Sequence, residues 1–467
     1  MIRLLKRFWP TRPERDALGR FYLASGLAAL FNLSWPFQFA YLFMVMERPE
    51  WAVFPLLLQS GTLLVMNIPT GAFADRWGRK LSVILGMLVS AAALTVVPLA
   101  VSEQGRIQLV AVSSCFAVWG LGQAFTYGAQ DAWVVDNLRH IGRRDMADNY
   151  FARISSFQSL GAAGAGLLAL LLLLTVEVDR AVLNLLWIIT AVGILLGAAI
   201  AISIPEQRSA PNPDTDGTAS GLSLQDLLAG FKVILRSKPL LLLAIAMLIA
   251  SFPEAAADDA FDMSLITKGM NATAFAPLGI LNNLVGVTAP LAGMLLLRRI
   301  GATWVLSVFL IVPAALVSIL FFLPTLPVVV GLYVTLDFAD HVWDPVANAH
   351  LQDLIESEKR ATVTSTVHHL GGIVELLGIG MLTVLLGEHS KALHEAIPDI
   401  VSAFSGEKVN IPAAPMTALG VSVPDLAIVL FAYSGLATLP FLLAKAHRQT
   451  SRPRDAGAGR SMYGEAP

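Results

Sequence analysis

The sequence predicts an all-α membrane protein: twelve transmembrane helices in two six-helix pseudo-repeat halves. Three observations predict it. The composition is too apolar and too poor in charge for water, twelve apolar segments are each long enough to cross a bilayer, and a loop pattern recurs in the two halves.

Of 467 residues, 55% are hydrophobic and 14% charged, and the mean hydropathy is +0.66. Soluble domains carry about 25% charged residues, so most of this chain belongs in lipid. That excludes a water-soluble enzyme, a nucleic-acid binder and a disordered scaffold. With 32 Lys and Arg against 34 Asp and Glu, no global charge excess is available to attract nucleic acid. The single cysteine, Cys115, falls in an apolar run and reads as a buried structural thiol.

A helix needs about 20 mostly apolar residues to cross hydrocarbon. In the first half the qualifying segments are Phe21–Met46, Trp51–Phe73, Leu81–Val101, Ile107–Val135, Tyr150–Thr175 and Ala181–Ile204. In the second half they are Pro239–Ile266, Phe275–Leu297, Thr303–Leu323, Pro327–Leu351, Ala361–Leu386 and Pro424–Lys445. The chain therefore divides into an N-terminal half over 1–204, a linker over 205–238, a C-terminal half over 239–446 and a tail over 447–467. Met1–Arg20 is basic and followed by an apolar run too long for a signal-peptide core, so it reads as a retained cytoplasmic tail. With both termini inside the cell, 26 of the 32 Lys and Arg fall on the cytoplasmic side, which sets the orientation and predicts the inner membrane.

The linker contains Pro-Asn-Pro-Asp-Thr-Asp-Gly, which buries too little apolar surface to order itself. Its second part, Ser223–Leu235, opens on a capping pattern and spaces Leu224, Leu227, Leu228 and Phe231 as a helix that either tethers the halves or lies on the membrane surface. A long segment, Glu388–Val423, joins the last two spans on the outer side.

The repeat is visible at two points. Gly71-Ala-Phe-Ala-Asp75-Arg76-Trp-Gly78-Arg79-Lys80 follows the second span, and Gly293-Met-Leu-Leu-Leu297-Arg298-Arg299-Ile-Gly301 follows the eighth. Asp136-Asn-Leu138 follows the fourth span, and Asp353-Leu354 the tenth. Paired six-span halves place a binding site at their interface near mid-membrane.

The Gly71–Lys80 pattern resembles the signature loop of the major facilitator superfamily, and length, span count, central linker and repeat agree with that family over nearly the whole sequence. Ile68-Pro69-Thr70-Gly71 and Arg360-Ala361-Thr362 are most similar to its bacterial drug-exporter branches. The resemblance implies a secondary transporter working by alternating access. It implies a conformational latch of Gly71, Asp75, Arg76, Gly78, Arg79, Lys80 and Asp136, in which Asp75 faces a neighbouring helix N-terminus and the cations pair with Asp136. Two positions depart from the family's proton-driven exporters. Phe116 stands where they usually carry an arginine, and Gly161-Ala-Ala-Gly164-Ala-Gly166 keeps the fifth-span glycines without the proline.

Ionisable groups inside the membrane cost roughly 2.5–3.5 kcal/mol each on insertion scales, so those retained are candidates for the working site. In the first half these are Asp131 with the neutral polar Asn32, Gln123 and Tyr127, among other amides at Gln38, Gln59, Gln130 and Gln158. In the second half Glu254, Asp258 and Asp262 share one helix face, and Asp337, Asp340, His341 and Asp344 share another. His368 and Glu375 share a third, with Gly371 and Gly372 between them. Asp258 and Asp262 also approach the outer end of their span, where they would face water.

Acids and histidines without Lys or Arg beside them suit proton coupling or a cationic ligand. The expected function is export of a small neutral or cationic organic compound by proton exchange. Alternatives are a divalent-metal exporter, using Glu254, Asp340, His341, Asp344, His368 and Glu375, and a non-transporting binding protein of the same fold. The expected partners are a small-molecule substrate, protons and the lipid bilayer, with the chain a monomer and no cofactor. No nucleophile–base pair, phosphate loop or metalloprotease spacing appears, so no enzyme is expected.

Overall fold

The computed structural model of the protein describes residues 10–46, 49–143, 146–175, 180–207, 224–267, 270, 272–301, 304–309, 326–355 and 360–388. The chain is helical, and no strand occurs among the described residues. The first half holds α1 (Arg12–Leu30), α2 (Gln38–Val45), α3 (Val53–Trp77), α4 (Arg79–Ala100), α5 (Gly105–Thr126), α6 (Ala129–His140), α7 (Ala147–Thr175) and α8 (Arg180–Ile202). The linker contributes α9 (Leu224–Arg236). The second half holds α10 (Lys238–Thr267), α11 (Ala272–Ile300), α12 (Leu326–Leu354) and α13 (Arg360–Glu388). The expected twelfth span and the 388–423 loop lie outside the described residues beyond Glu388, and of the ninth span only 304–309 is described, as helix.

Among the described residues, six helices are long and apolar enough to cross a membrane. Their apolar residues point outward as well as inward: Val65, Leu99 and Leu174 are each about two-thirds exposed (68%, 69% and 68%). Such side chains are stable only against hydrocarbon. Helices in lipid gain no hydrophobic drive toward one another and associate through close packing at small residues. Gly120 of α5 sits against the backbone of Gln59 on α3, and a Cβ on Gly161 of α7 would come within 2.6 Å of the Gly26 carbonyl on α1.

Two of the expected spans are broken in mid-course. The first stops at Leu30, turns through Asn32 and Ser34, passes a 3-10 turn at Trp35–Phe37 and resumes as α2. Pro36 has no N–H to give the carbonyl of Asn32, which weakens the helical ladder here, although α3 runs on through Pro69 and α4 through Pro98. The freed Ser34 N–H donates to the Thr190 hydroxyl of α8 at 3.1 Å, which replaces the lost helical bond where no water can. The fourth span breaks at Tyr127–Gly128, where Gly128 adopts φ +74° and separates α5 from α6. The first helix also begins ahead of the expected Phe21. Glu14, in the stretch expected to be a basic tail, is 2% exposed, pairs with Arg153 of α7 and accepts the Tyr22 hydroxyl at 3.0 Å.

The two halves meet along α7 with α11, α3 with α13, and α2 with α10. At the end of the bundle away from the Gly71–Lys80 loop, one hydrophobic cluster takes residues from both halves, with Phe37, Phe39 and Tyr41 beside Leu265, Phe275 and Leu336. At the loop end the clusters are separate. Leu18, Phe21, Trp133 and Tyr150 pack within the first half, and Ile234, Leu240, Val305 and Leu351 within the second. Among the described residues, the buried clusters are thus shared between the halves at one end and separate at the other.

Candidate functional site: a polar cavity between the halves

A cavity of about 560 Å³ lies beside both helix breaks, and every described residue that lines it belongs to the first half except Asn283 of α11. Asn32 and Trp35 reach it from the first break, Thr126 and Gln130 flank the second, and Asn283 of α11 closes it from the other half. Discontinuous helices at a repeat interface are where transporters build binding sites, because unwound backbone and short helix ends are tolerated only against a cavity. Hydroxyls and amides dominate the polar lining, with Ser90, Gln123, Gln158 and Thr190 among them. Among the described residues, none with an ionisable side chain lines it.

A second cavity of about 300 Å³ lies toward the end with the shared cluster, and Trp35 and Asn283 line both. Three amides connect the two spaces. Gln38 Nε2 donates to Gln59 Oε1 at 3.1 Å, and Gln59 Nε2 donates to Gln123 Oε1 at 3.0 Å. Gln38 and Gln59 line the smaller cavity and Gln123 the larger. Asn282 also lines the smaller one, and its Oδ1 is buried without a hydrogen-bond partner.

Of the residues the sequence singles out, Asn32, Gln123, Gln130 and Gln158 line the larger cavity, and Gln38, Gln59 and Asp262 line the smaller one. Tyr127 and Asp131 are exposed beside the second break, and Tyr127 lies within electrostatic range of both Asp131 and Glu375 of α13 in the opposite half. On α12, Nδ1 of His341 is 2.8 Å from the Asp337 carbonyl oxygen and 3.6 Å from its carboxylate, while the ring packs against Gly286 of α11. His368 Nε2 is instead 2.9 Å from Oδ1 of Asn348. Asn348 is seven residues beyond His341, roughly 10 Å along the helix, so the two histidines serve separate places. Asp340 is half-buried on α12. The side chains of Glu254, Asp258 and Asp344 lie outside the described set, although α10 and α12 run through them. Among the described residues, no group of three or more His, Cys, Asp or Glu could hold a metal ion.

At the loop end of the first half, Arg79 pairs with Asp136 of α6, lies 3.8 Å from Asp75, and donates to the Ala132 carbonyl at 2.8 Å. Gly78 takes φ +120° between α3 and α4, a conformation that disfavours any side chain. Arg76 is exposed and lies over the Trp77 ring, its guanidinium carbon 5.7 Å from the centroid. Gly71 lies on α3. Lys80 Nζ donates to the carbonyls of Ile202 and Ile204, both at 2.7 Å, near the C-terminus of α8. The N-terminus of α4 is held by a residue the sequence reading did not single out. Glu206 Oε1 accepts from the backbone N–H groups of Arg79 at 2.7 Å and Lys80 at 3.3 Å. An acid just after the sixth span was the available signal, since a helix N-terminus favours a carboxylate.

Phe116, at the position of the missing arginine, is fully buried with its ring edge-on to Trp119 and Trp187. The fifth-span glycines face different partners: Gly161 meets α1, and Gly166 meets Ala276 and Ile280 of α11 across the interface between the halves.

Apolar helices, paired halves and a polar cavity beside two broken helices define an integral, multi-pass membrane protein of the transport class. The family model described as Major Facilitator Superfamily matches residues 18–379, and the chain belongs to that family. Among solved structures, the chain is similar to the nucleoside transporter NupG at 13% identity, with a TM-score of 0.63 over 91% of this chain and 98% of that one. It is similar to a bacterial homologue of the human lysosomal transporter Spinster at 16% identity, with a TM-score of 0.64 over 96% of this chain and 100% of the other. A bacterial homologue of the iron transporter ferroportin shares 14% identity and a TM-score of 0.58, over 92% of this chain and 99% of the other. No curated protein sequence matches the chain.

Proposed function

We propose that this protein is a secondary active transporter that exports a small organic compound by alternating access, in exchange for protons. The observation that carries this reading is that the buried clusters are shared between the halves at one end and separate at the loop end, beside a polar cavity of the first half that Asn283 of the second half reaches. A bundle whose halves share a core at one end only is half of a rocking cycle. With the loop end cytoplasmic and the protein in the inner membrane, this is the inward-facing state. The Arg79–Asp136 pair holds the loop to the first half, and Asp75, Arg76, Lys80 and the glycines at 71 and 78 complete the latch that meets the second half when the loop end closes. The likeness of the signature loop to drug-exporter branches supports the outward direction.

Asp131, Tyr127 and Glu375, drawn from opposite halves, are the groups best placed to couple proton movement to rocking, with Asp337 and His341 as a second station. A monomer belongs to this reading, because one chain carries both halves that alternating access requires.

Reconstitution into proteoliposomes with an imposed pH gradient tests this reading. An exported organic solute should move protons through the wild type, and Asp131→Asn combined with Glu375→Gln should uncouple the two. Solute movement that neither collapses nor responds to the gradient would remove proton exchange from the reading, and a protein that moves no solute and never closes its loop end would remove transport.

A further inference from the structure

Resting on the transporter reading, we propose that the cavity takes an uncharged, ring-shaped solute bearing several hydroxyl or amide groups, stacked on Trp35 and hydrogen-bonded by Gln123 and Asn283.

The lining carries the argument. Among the described residues no ionisable group faces the larger cavity, so an ion entering it would surrender its hydration and meet no counter-charge. An uncharged solute incurs no such cost. The amides there can each donate and accept, which matches a solute presenting both kinds of group and not one presenting only donors, such as an ammonium.

Trp35 is 59% exposed although it sits beside the helix break between the halves, and it lines both cavities. A bare indole face in such a place offers a rigid platform for a flat or sugar-like ring. Gln123 uses one end of its amide on Gln59 and presents the rest to the cavity, held in place by the three-amide chain. Asn283, fixed by its own Nδ2 bond to the Gly279 carbonyl at 2.7 Å, faces it from the other half. The unpartnered Oδ1 of Asn282 in the adjoining space is an acceptor for which a solute hydroxyl or N–H is a fitting partner. A volume of about 560 Å³ suits a solute of one or two rings.

In the larger cavity the described lining carries no ionisable side chain, and in the adjoining space Asp262 lines the smaller cavity. The solute sits among amides, and the carboxylates beside the second break and on α12 carry the proton work. Solute affinity should accordingly depend little on pH.

Isothermal titration calorimetry on the detergent-purified full chain tests this with adenosine and methyl β-glucoside as neutral ring probes, tetraphenylphosphonium as an organic cation and Mn²⁺ as a metal. At least one neutral probe should bind saturably, with affinities at pH 6 and pH 8 agreeing within about twofold. Trp35→Ala and Asn283→Leu should each weaken it by about tenfold, the scale of one lost stacking or hydrogen-bonding contact. Trp35→Phe should restore most of the binding, which separates a lost platform from a misfolded protein. The two neutral probes tell a heterocyclic solute from a sugar. Binding of tetraphenylphosphonium or Mn²⁺ alone, or neutral binding indifferent to Trp35 and Asn283, overturns the inference. Neutral binding without flux in proteoliposomes would sink the transporter reading and leave this site standing, whereas flux of a cation with no neutral binding would do the reverse.

Discussion

Arg79 and Asp136 form an ion pair that ties the start of α4 to α6 within the first half, with side chains only 12% and 16% exposed. The same arginine's backbone N–H is held by Glu206, so one residue joins the signature loop to α6 and to the first residues of the linker. The loop therefore belongs to a set of contacts that also fixes the end of the sixth span, where Trp133 Nε1 donates to the Pro205 carbonyl at 3.2 Å and Asn137 Nδ2 donates to it at 2.9 Å.

Replacing Asp136 by Asn should leave a nearly buried guanidinium short of its partner and lower stability by about 2 kcal/mol. The melting temperature of the purified protein reads it. In a double-mutant cycle with Arg79→Gln, the combined loss should fall clearly below the sum of the single losses. Strict additivity would show that the two residues do not act together.

Glu206→Gln should cost less, about 1 kcal/mol, because the amide can still accept from the two N–H groups and only the charge at the α4 N-terminus is lost. The ordering is the test: a Glu206→Gln loss larger than that of Asp136→Asn contradicts the assignment of the ion pair as the stronger contact.

Gly120→Ala places a methyl group against the Gln59 backbone and should destabilise by about 2 kcal/mol as α3 and α5 are forced apart. Gly331→Ala on α12 meets nothing within 4 Å and should be neutral or slightly stabilising, since alanine is the better helix former. Comparing melting temperatures of the two variants checks the close approach of these helices directly.

A Cβ on Gly61 of α3 would lie 3.7 Å from the Leu376 side chain on α13 in the opposite half. Gly61→Cys with Leu376→Cys, in a Cys115→Ala background, should cross-link with a short thiol reagent and stop transport. Reduction of a cleavable linker should restore it. Full transport by the cross-linked protein would show that the halves do not separate at this point during the cycle.

Much of the architecture was legible because membrane burial imposes a simple rule. A long run of apolar residues has one stable fate in hydrocarbon, and the expected spans from the second through the eleventh largely coincide with helices wherever they are described. The helical spacing of Leu224, Leu227, Leu228 and Phe231 likewise foretold α9. The family resemblance implied that the loop's cations pair with Asp136; in the structure Arg79 pairs with it, while Lys80 turns to the end of α8.

The candidate site was less legible. Asn32 and Gln123 were found because neutral polar groups inside a span are uncommon enough to notice. Trp35 and Asn283 were not assigned to a site: a tryptophan in an apolar run reads the same whether it packs or faces a cavity, and in the second half acids and histidines are a stronger signal than amides. The acids and histidines of the second half share helix faces in sequence, yet His341 and His368 find separate partners. Spacing along one helix orders residues on that helix and says nothing of the rotation of the next.

The sequence by itself determined that this is a multi-pass helical membrane protein of two related halves, because length, hydropathy and the signature loop are local properties. The tertiary structure decided where the first and fourth spans break, at which end the buried clusters are shared, and that no ionisable side chain among the described residues lines the larger cavity. Those follow from the sign of one φ at Gly128, one hydrogen bond from Ser34 to Thr190, and the facing of side chains from helices far apart in the chain. Each depends on neighbours that only packing supplies.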